Sequence, residues 1–276
     1  MSARLDQSCI GFLGGGAMGE ALAAGVLAAG VPAAQLRAAD PDPARCKQLE
    51  QGLGIEASAD NASVVAASDL VVLAVKPGLV GPALAALGGA AASALSRPLW
   101  VSIAAGVPLA AIGQALPRGA RVVRAMPNTP ALVRSGATAF VAGEACGADD
   151  RALARALFEG VGMAWEAPAE ALLDAVTGLS GSGPAYVFVF LEALSDAGVR
   201  MGLPHDAASA LAVQTVLGSA RLAQQTGRHP AALKDQVTSP GGTTIAGLER
   251  LEACGFRAAI HEAVAAATRR SKELAG

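Results

Sequence analysis

Ile10-Gly11-Phe12-Leu13-Gly14-Gly15-Gly16-Ala17-Met18-Gly19 is the stretch on which the fold turns. A short apolar strand, Ser8 to Leu13, runs straight into a glycine loop and then into an alanine-rich helix reaching about Ala29. Gly14-x-Gly16-x-x-Gly19 has the spacing of a dinucleotide-binding turn. The first glycine makes the tight bend, the second lets a pyrophosphate approach the backbone, and the third brings helix and strand close. A glycine-rich turn in an alanine-rich chain would look similar in isolation. The surroundings decide: a strand precedes it, a helix follows, and a second strand, Leu36 to Ala39, ends on Asp40. A carboxylate there can accept hydrogen bonds from ribose hydroxyls.

Outward from this unit, strands and helices alternate. Helices are expected from about Pro43, Asn61, Val80 and Leu109, and strands around Ile55, Leu70 to Val75, Leu99 to Ile103 and Val122 to Met126. Leu-Val-Val-Leu-Ala-Val at 70–75 is apolar without alternation, the pattern of a parallel strand covered on both faces. The expected class is α/β, with a doubly wound parallel sheet whose ligands lie beyond the carboxyl ends of its strands. That rule singles out Ala74-Val75-Lys76-Pro77, Ile103-Ala104-Ala105-Gly106 and the segment Met126 to Pro130, with Lys76 lining a cofactor groove. Gly136 to Ala142, a helix from Asp149 and a strand from Met163 to Glu166 would close the sheet, with 138–142 either an edge strand or antiparallel.

After Pro168 the strand signals stop, which divides the chain into 1–167, a dinucleotide-binding domain, and 168–276, a helical one. Helices are expected at about 169–177, 184–200, 204–225, 230–237, 242–253 and 256–274. Tyr186 to Leu194 is apolar almost all round, which implies burial on every side and hence a dimer built through the helical halves. Ser239-Pro240-Gly241-Gly242-Thr243-Thr244 is a second candidate site, followed by Ile245, Leu248 and Leu251 at helical spacing. Ser239 is expected to cap this helix and Pro240 to take its first position. Free N–H groups beside two glycines can then receive a carboxylate, and Thr243 and Thr244 add hydroxyls. An ordinary capped helix begins the same way.

A net charge of −2 over 276 residues and 3% aromatics give no footprint for nucleic acid, so a small-molecule partner is expected. Cys9, Cys46, Cys146 and Cys254 lack metal-ligand spacing and read as reduced thiols of a cytoplasmic protein, with no metal. Arg4 and Asp6 precede the first strand without an apolar run, so no signal peptide is expected. Pro77 to Ser96 carries no charge and has the length of a membrane span. Its two prolines, four glycines and many alanines supply little transfer energy, and no membrane association is expected.

Five blocks together resemble the pyrroline-5-carboxylate reductase family: the glycine loop, Leu73 to Pro77, Arg124 to Ala131, Ala175 to Tyr186 and Val237 to Thr244. The last two are particular to that family, and the likeness spans essentially Ile10 to Leu274. It implies a Rossmann domain followed by an all-α dimerisation domain, NADPH or NADH as hydride donor, and an intertwined homodimer that completes the site. Some members assemble further into decamers. Carried over residue by residue, Gly14, Gly15, Gly16, Ala17 and Met18 hold the pyrophosphate and Asn61 contacts the adenosine ribose. Val75, Lys76, Pro77, Ala104, Ala105 and Gly106 line the nicotinamide side. Ser239, Gly241, Gly242, Thr243 and Thr244 receive the substrate carboxylate and ring nitrogen, while Glu170 and Gln236 match ligand-contacting positions. Where many relatives have Asn-Arg after the second strand, this chain has Asp40-Pro41-Asp42, a departure that favours NADH by the ribose argument.

Such a reaction delivers a hydride to the carbon of 1-pyrroline-5-carboxylate and leaves L-proline. The protonated imine is already electrophilic, so positioning by groups such as Thr244 can supply much of the acceleration. Two other readings stay open: a β-hydroxyacid dehydrogenase or other imine reductase, and a non-catalytic dinucleotide-binding regulator. Hydroxyacid dehydrogenases share Gly178-x-x-Gly181-x-Gly183 but place a proton-moving lysine where this chain has Tyr186.

Overall fold

The computed structural model describes residues 5–88 and 92–275. Met1 to Arg4, where no signal peptide is expected, and part of the uncharged segment 77–96, where no membrane span is expected, lie outside the described residues. No helix among the described residues is long and apolar enough to cross a membrane.

The sheet has eight strands: β1 (Ile10–Leu13), β2 (Leu36–Ala39), β3 (Glu56–Ser58), β4 (Leu70–Leu73), β5 (Leu99–Ser102), β6 (Arg121–Met126), β7 (Gly136–Ala142) and β8 (Gly162–Glu166). Their order is β3-β2-β1-β4-β5-β6-β7-β8. The first six run parallel, with Ile10 opposite both Leu36 and Leu70. β7 is antiparallel to β6, with Ala125 opposite Phe140, and β8 runs parallel to β7 at the edge. The chain therefore reverses at β1, between β2 and β4, and opens a crevice at their carboxyl ends.

The two-residue period of a strand sorts the core into two layers. Ile10, Phe12, Leu70 and Val72 face α1 (Ala17–Ala28), α2 (Pro43–Leu53) and α7 (Ala148–Glu159), meeting Leu22, Val26, Leu49 and Leu157. Leu13, Val71 and Leu73 face α3 (Asn61–Ala66), α4 (Val80–Ala85), α5 (Ala92–Ser96) and α6 (Leu109–Gln114). Burial of a Leu, Val or Phe contributes about 1.5–3 kcal/mol, so the run at 70–73, buried throughout, anchors both layers at once. The cysteines are free thiols, and burial first, then the Asp150 carboxylate, push the Cys146 thiol above its ordinary value.

The chain forms two compact units, one reaching Ser182 and taking in Ala266 onward, the other Gly183–Ala265. The strands end at Glu166, close to the boundary expected at 167/168, yet the residues that follow stay with the sheet. Ser271 Oγ, for example, donates to Asp174 Oδ1 at 2.7 Å. α8 (Leu172–Val176) starts three residues later than expected and widens into a π-helical turn at Thr177–Gly181. The second unit holds α9 (Gly183–Arg200), α10 (His205–Thr226), α11 (Pro230–Gln236), α12 (Thr243–Ala253) and the first half of α13 (Phe256–Ala275). α9 packs on α10, where Gly198 lets Ala208 approach, and Phe190 meets Phe256 with ring centroids 6.0 Å apart. The burial expected all round α9 is not reached within one chain: Phe188 is 63% and Val189 65% exposed.

Candidate active site

The glycine loop is built by backbone bonds at the crevice. Gly14 N–H donates to Ala39 C=O at 2.8 Å, and Ala74 N–H to Leu13 C=O at 2.8 Å. Gly14 turns with φ +101°, and a Cβ at Gly19 would sit 2.4 Å from Gly14 O, so both positions demand glycine. Gly16 precedes α1, and a Cβ there would meet no described atom within 4 Å. No side chain among the described residues caps α1, so its first N–H groups face open space at the positive end of the helix dipole. The N–H groups of Gly16, Ala17 and Met18 at the start of α1 suit a pyrophosphate, whereas Gly14 N–H is spent on Ala39 C=O and Gly15 N–H on Asp40.

Asp40 is tied to this loop. Its Oδ2 accepts Gly15 N–H at 2.8 Å and its Oδ1 accepts Asp42 N–H at 3.0 Å, which leaves each oxygen a lone pair for a ribose hydroxyl. Arg45, on α2, donates through Nε to Gly15 C=O and pairs with Glu20 of α1, so it clamps the loop from outside. Nothing in the spacing of Arg45, Gly15 and Glu20 announced that clamp. Asn61 opens α3 beyond β3, next to Asp60, whose Oδ1 accepts Ala62 N–H at 2.9 Å.

Met18, Val75, Lys76, Pro77, Ala104 and Ala105 line one groove, together with Ala74, Ile103, Met126 and Pro127. They come from the ends of β4, β5 and β6 and from α1, as the crevice rule requires. Apart from exposed Lys76 the walls are apolar, which suits a heteroaromatic ring, and Gly106 (φ +75°) follows them in the chain.

Glu170 has protein partners that sequence spacing did not reveal. Its Oε1 accepts from Arg124 Nη1 at 2.7 Å and from Leu109 N–H at 2.8 Å, so it bridges β6 to the first residue of α6. Arg124 is buried, and this carboxylate compensates its charge. The bridge steadies the turn 103–108, which forms one groove wall.

In the second unit the helix start differs from expectation. Ser239 is not the cap and Pro240 is not the first helical residue. Gly242 N–H donates to Ser239 C=O at 3.0 Å and Gly241 has φ +66°, so Ser239 to Gly242 form a β-turn with proline second and glycine third. α12 then starts at Thr243, with Gly242 as N-cap and no side-chain cap among the described residues. The turn explains the sequence better: Pro-Gly suits a turn with a positive φ at its third residue more than a helix interior. Uncapped N–H groups at Thr243 and Thr244 lie beside two glycines, which suits a carboxylate. Gln236 ends α11 and is exposed.

A doubly wound sheet with an open glycine loop and an apolar groove at its switch point defines a pyridine-nucleotide-dependent oxidoreductase. Residues 9–106 match the family described as NADP oxidoreductase coenzyme F420-dependent, and residues 170–274 match pyrroline-5-carboxylate reductase dimerisation. The chain belongs to the pyrroline-5-carboxylate reductase family. The reductase of Synechocystis sp. is 49% identical over 96% of this chain and 97% of its own length, and that of Methanosarcina acetivorans 46% over 98% and 99%. The Coxiella burnetii reductase structure has TM-score 0.92 at 36% identity, covering 98% of this chain and 99% of that one. A Plasmodium falciparum pyrroline carboxylate reductase structure with NADP bound has TM-score 0.86 at 31% identity, with the same coverage.

Proposed function

We propose that this protein reduces 1-pyrroline-5-carboxylate to L-proline with NADPH or NADH as donor, the last step of proline biosynthesis. The observation that carries this reading is the pairing, in one chain, of the open glycine loop at Gly14–Gly16 with the uncapped Gly-Gly-Thr-Thr start of α12. The bound cofactor supplies the hydride. The backbone around Gly14, Gly15, Gly16, Ala17 and Met18 receives its pyrophosphate, Asp40 and Asn61 its adenosine ribose, and the groove from Val75 to Pro77 and from Ala104 to Gly106 its nicotinamide. Ser239, Gly241, Gly242 and Thr243 take the substrate carboxylate, and Thr244 hydrogen-bonds the ring nitrogen. Glu170 stabilises the groove wall through Leu109, and Gln236 keeps its place as a ligand contact on resemblance alone. Functionally the helical domain begins at 168, where the strands have ended.

Tyr186 argues against hydroxyacid chemistry. Its hydroxyl donates to Ala263 C=O at 3.4 Å, a helix-to-helix contact and not a proton relay. Purified protein should consume NADPH or NADH when given 1-pyrroline-5-carboxylate and should leave 3-hydroxyisobutyrate with NAD(P)⁺ untouched. Oxidation of the hydroxyacid without imine reduction overturns the assignment, and binding of cofactor with neither reaction leaves the regulator.

The assembly proposed is a homodimer through the helical halves, with a decamer as the higher form. The open apolar faces of α9 at Phe188 and Val189 support it. Light scattering of active protein should give at least a dimer, and an active monomer contradicts it. Free thiols suit the reducing cytoplasm proposed as its location.

A further inference from the structure

Asn128 lies two residues past the end of β6 and bridges two backbones. Its Oδ1 accepts Ala137 N–H of β7 at 2.8 Å, and its Nδ2 donates to Ser180 C=O at 3.0 Å. One partner is a donor and the other an acceptor, so the neighbours dictate which way the amide faces. Ser180 lies in the π-helical turn, which Ser182 N–H closes onto Thr177 C=O at 2.8 Å. In α-helical register Ser180 C=O would accept the N–H of residue 184. That residue is Pro184, which has no N–H and whose ring crowds the carbonyl four residues back. A widened turn relieves the crowding, and the Asn128 amide stands in for the missing donor. The neighbouring Gly181 touches the groove: a Cβ there would sit 2.8 Å from Met126 Cε, and Met126 lines the wall.

We propose that Asn128 is a positioning residue for hydride transfer, holding the π-helical turn so that Gly181 supports Met126 against the nicotinamide half of the cofactor. This rests on the reductase reading, deepens it, and gives the proline at 184 a purpose. The backbone defect that Pro184 creates lets one side chain from the sheet set the height of the turn beneath the groove.

The test uses the full chain. Asn128→Ala should lower kcat on the imine by about tenfold or more, while ADP-ribose, which lacks only the nicotinamide ring, binds within about twofold of wild type. Hydrogen exchange at Ser182 N–H should quicken in the same variant. Asn128→Ala/Pro184→Ala, which returns an N–H to position 184, should recover part of the kcat and slow that exchange. Wild-type kcat in Asn128→Ala, an equal loss of ADP-ribose affinity, or no recovery in the double variant overturns the proposal. If Asn128→Ala does not fold, Asn128→Asp decides. It keeps the acceptor for Ala137, and only its protonated form can donate to Ser180, so kcat should rise as pH falls through its pKa; a profile matching wild type overturns the idea. A wild type inactive on the imine fails the reductase reading alone, because exchange at Ser182 and ADP-ribose binding still report on Asn128.

Discussion

Gly14→Ala should abolish useful cofactor binding and lower the stability of the whole first unit. Its φ of +101° lies where L-residues are strained, and the added Cβ would stand 2.7 Å from Ala74 O, 2.8 Å from Ala74 C and 2.9 Å from Val75 N. Those atoms belong to backbone at the end of β4, which cannot swing aside as a side chain can. Backbone strain of about 1–3 kcal/mol adds to an overpacking cost of about 1–3 kcal/mol, and relief by shifting Gly14 would break its bond to Ala39 C=O. The dissociation constant for NADPH should rise by on the order of 100-fold, about 2.7 kcal/mol, with a lower Tm. Gly16→Ala makes the contrast. Its φ of −61° and ψ of 175° suit alanine, and its Cβ would meet no described atom. That variant should fold normally, and any loss of NADPH affinity measures how closely the pyrophosphate approaches residue 16. Wild-type affinity in Gly14→Ala would show that the loop is looser than its contacts imply.

What was legible in the sequence was local and periodic. The apolar run at 70–73 announced a strand buried on both faces, and the glycine spacing announced the turn, in which Gly14 adopts a positive φ and Gly19 lies against Gly14 O. Pairings across long separations left no such mark. Glu170 lies 61 residues from Leu109 and 46 from Arg124, so its cap and its ion pair follow from the topology alone. Asn128 and Ser180 are 52 apart, and the π-helical turn that holds Ser180 comes just before a proline that by propensity merely starts the next helix. At α12 the difficulty was different. Ser-Pro-Gly-Gly satisfies both a capped helix start and a β-turn, and the choice rests on whether Gly241 adopts a positive φ, which composition does not decide. The apolar circumference of α9 read as burial on every side, and within one chain Phe188 and Val189 stay exposed.

Thr244→Val should lower kcat/KM for 1-pyrroline-5-carboxylate by on the order of tenfold or more, about 1.4 kcal/mol per decade, with the fold intact. Valine keeps the shape of threonine and removes the hydroxyl. Thr244 is the second residue of α12 and only partly buried, so the core loses nothing by the change. The N–H groups of this first turn come from the backbone and remain, so carboxylate binding should persist. The loss should therefore fall on kcat more than on the affinity for L-proline measured by direct titration, because Oγ1 is proposed to hydrogen-bond the ring nitrogen as the hydride arrives. Thr244→Ser retains an Oγ at the same place and should restore most of the rate, which a purely structural role for the methyl group would not allow. Full activity in Thr244→Val would make Thr244 an ordinary helix residue and leave the backbone N–H groups of the first turn of α12 as the whole of the substrate recognition at this end of the helix.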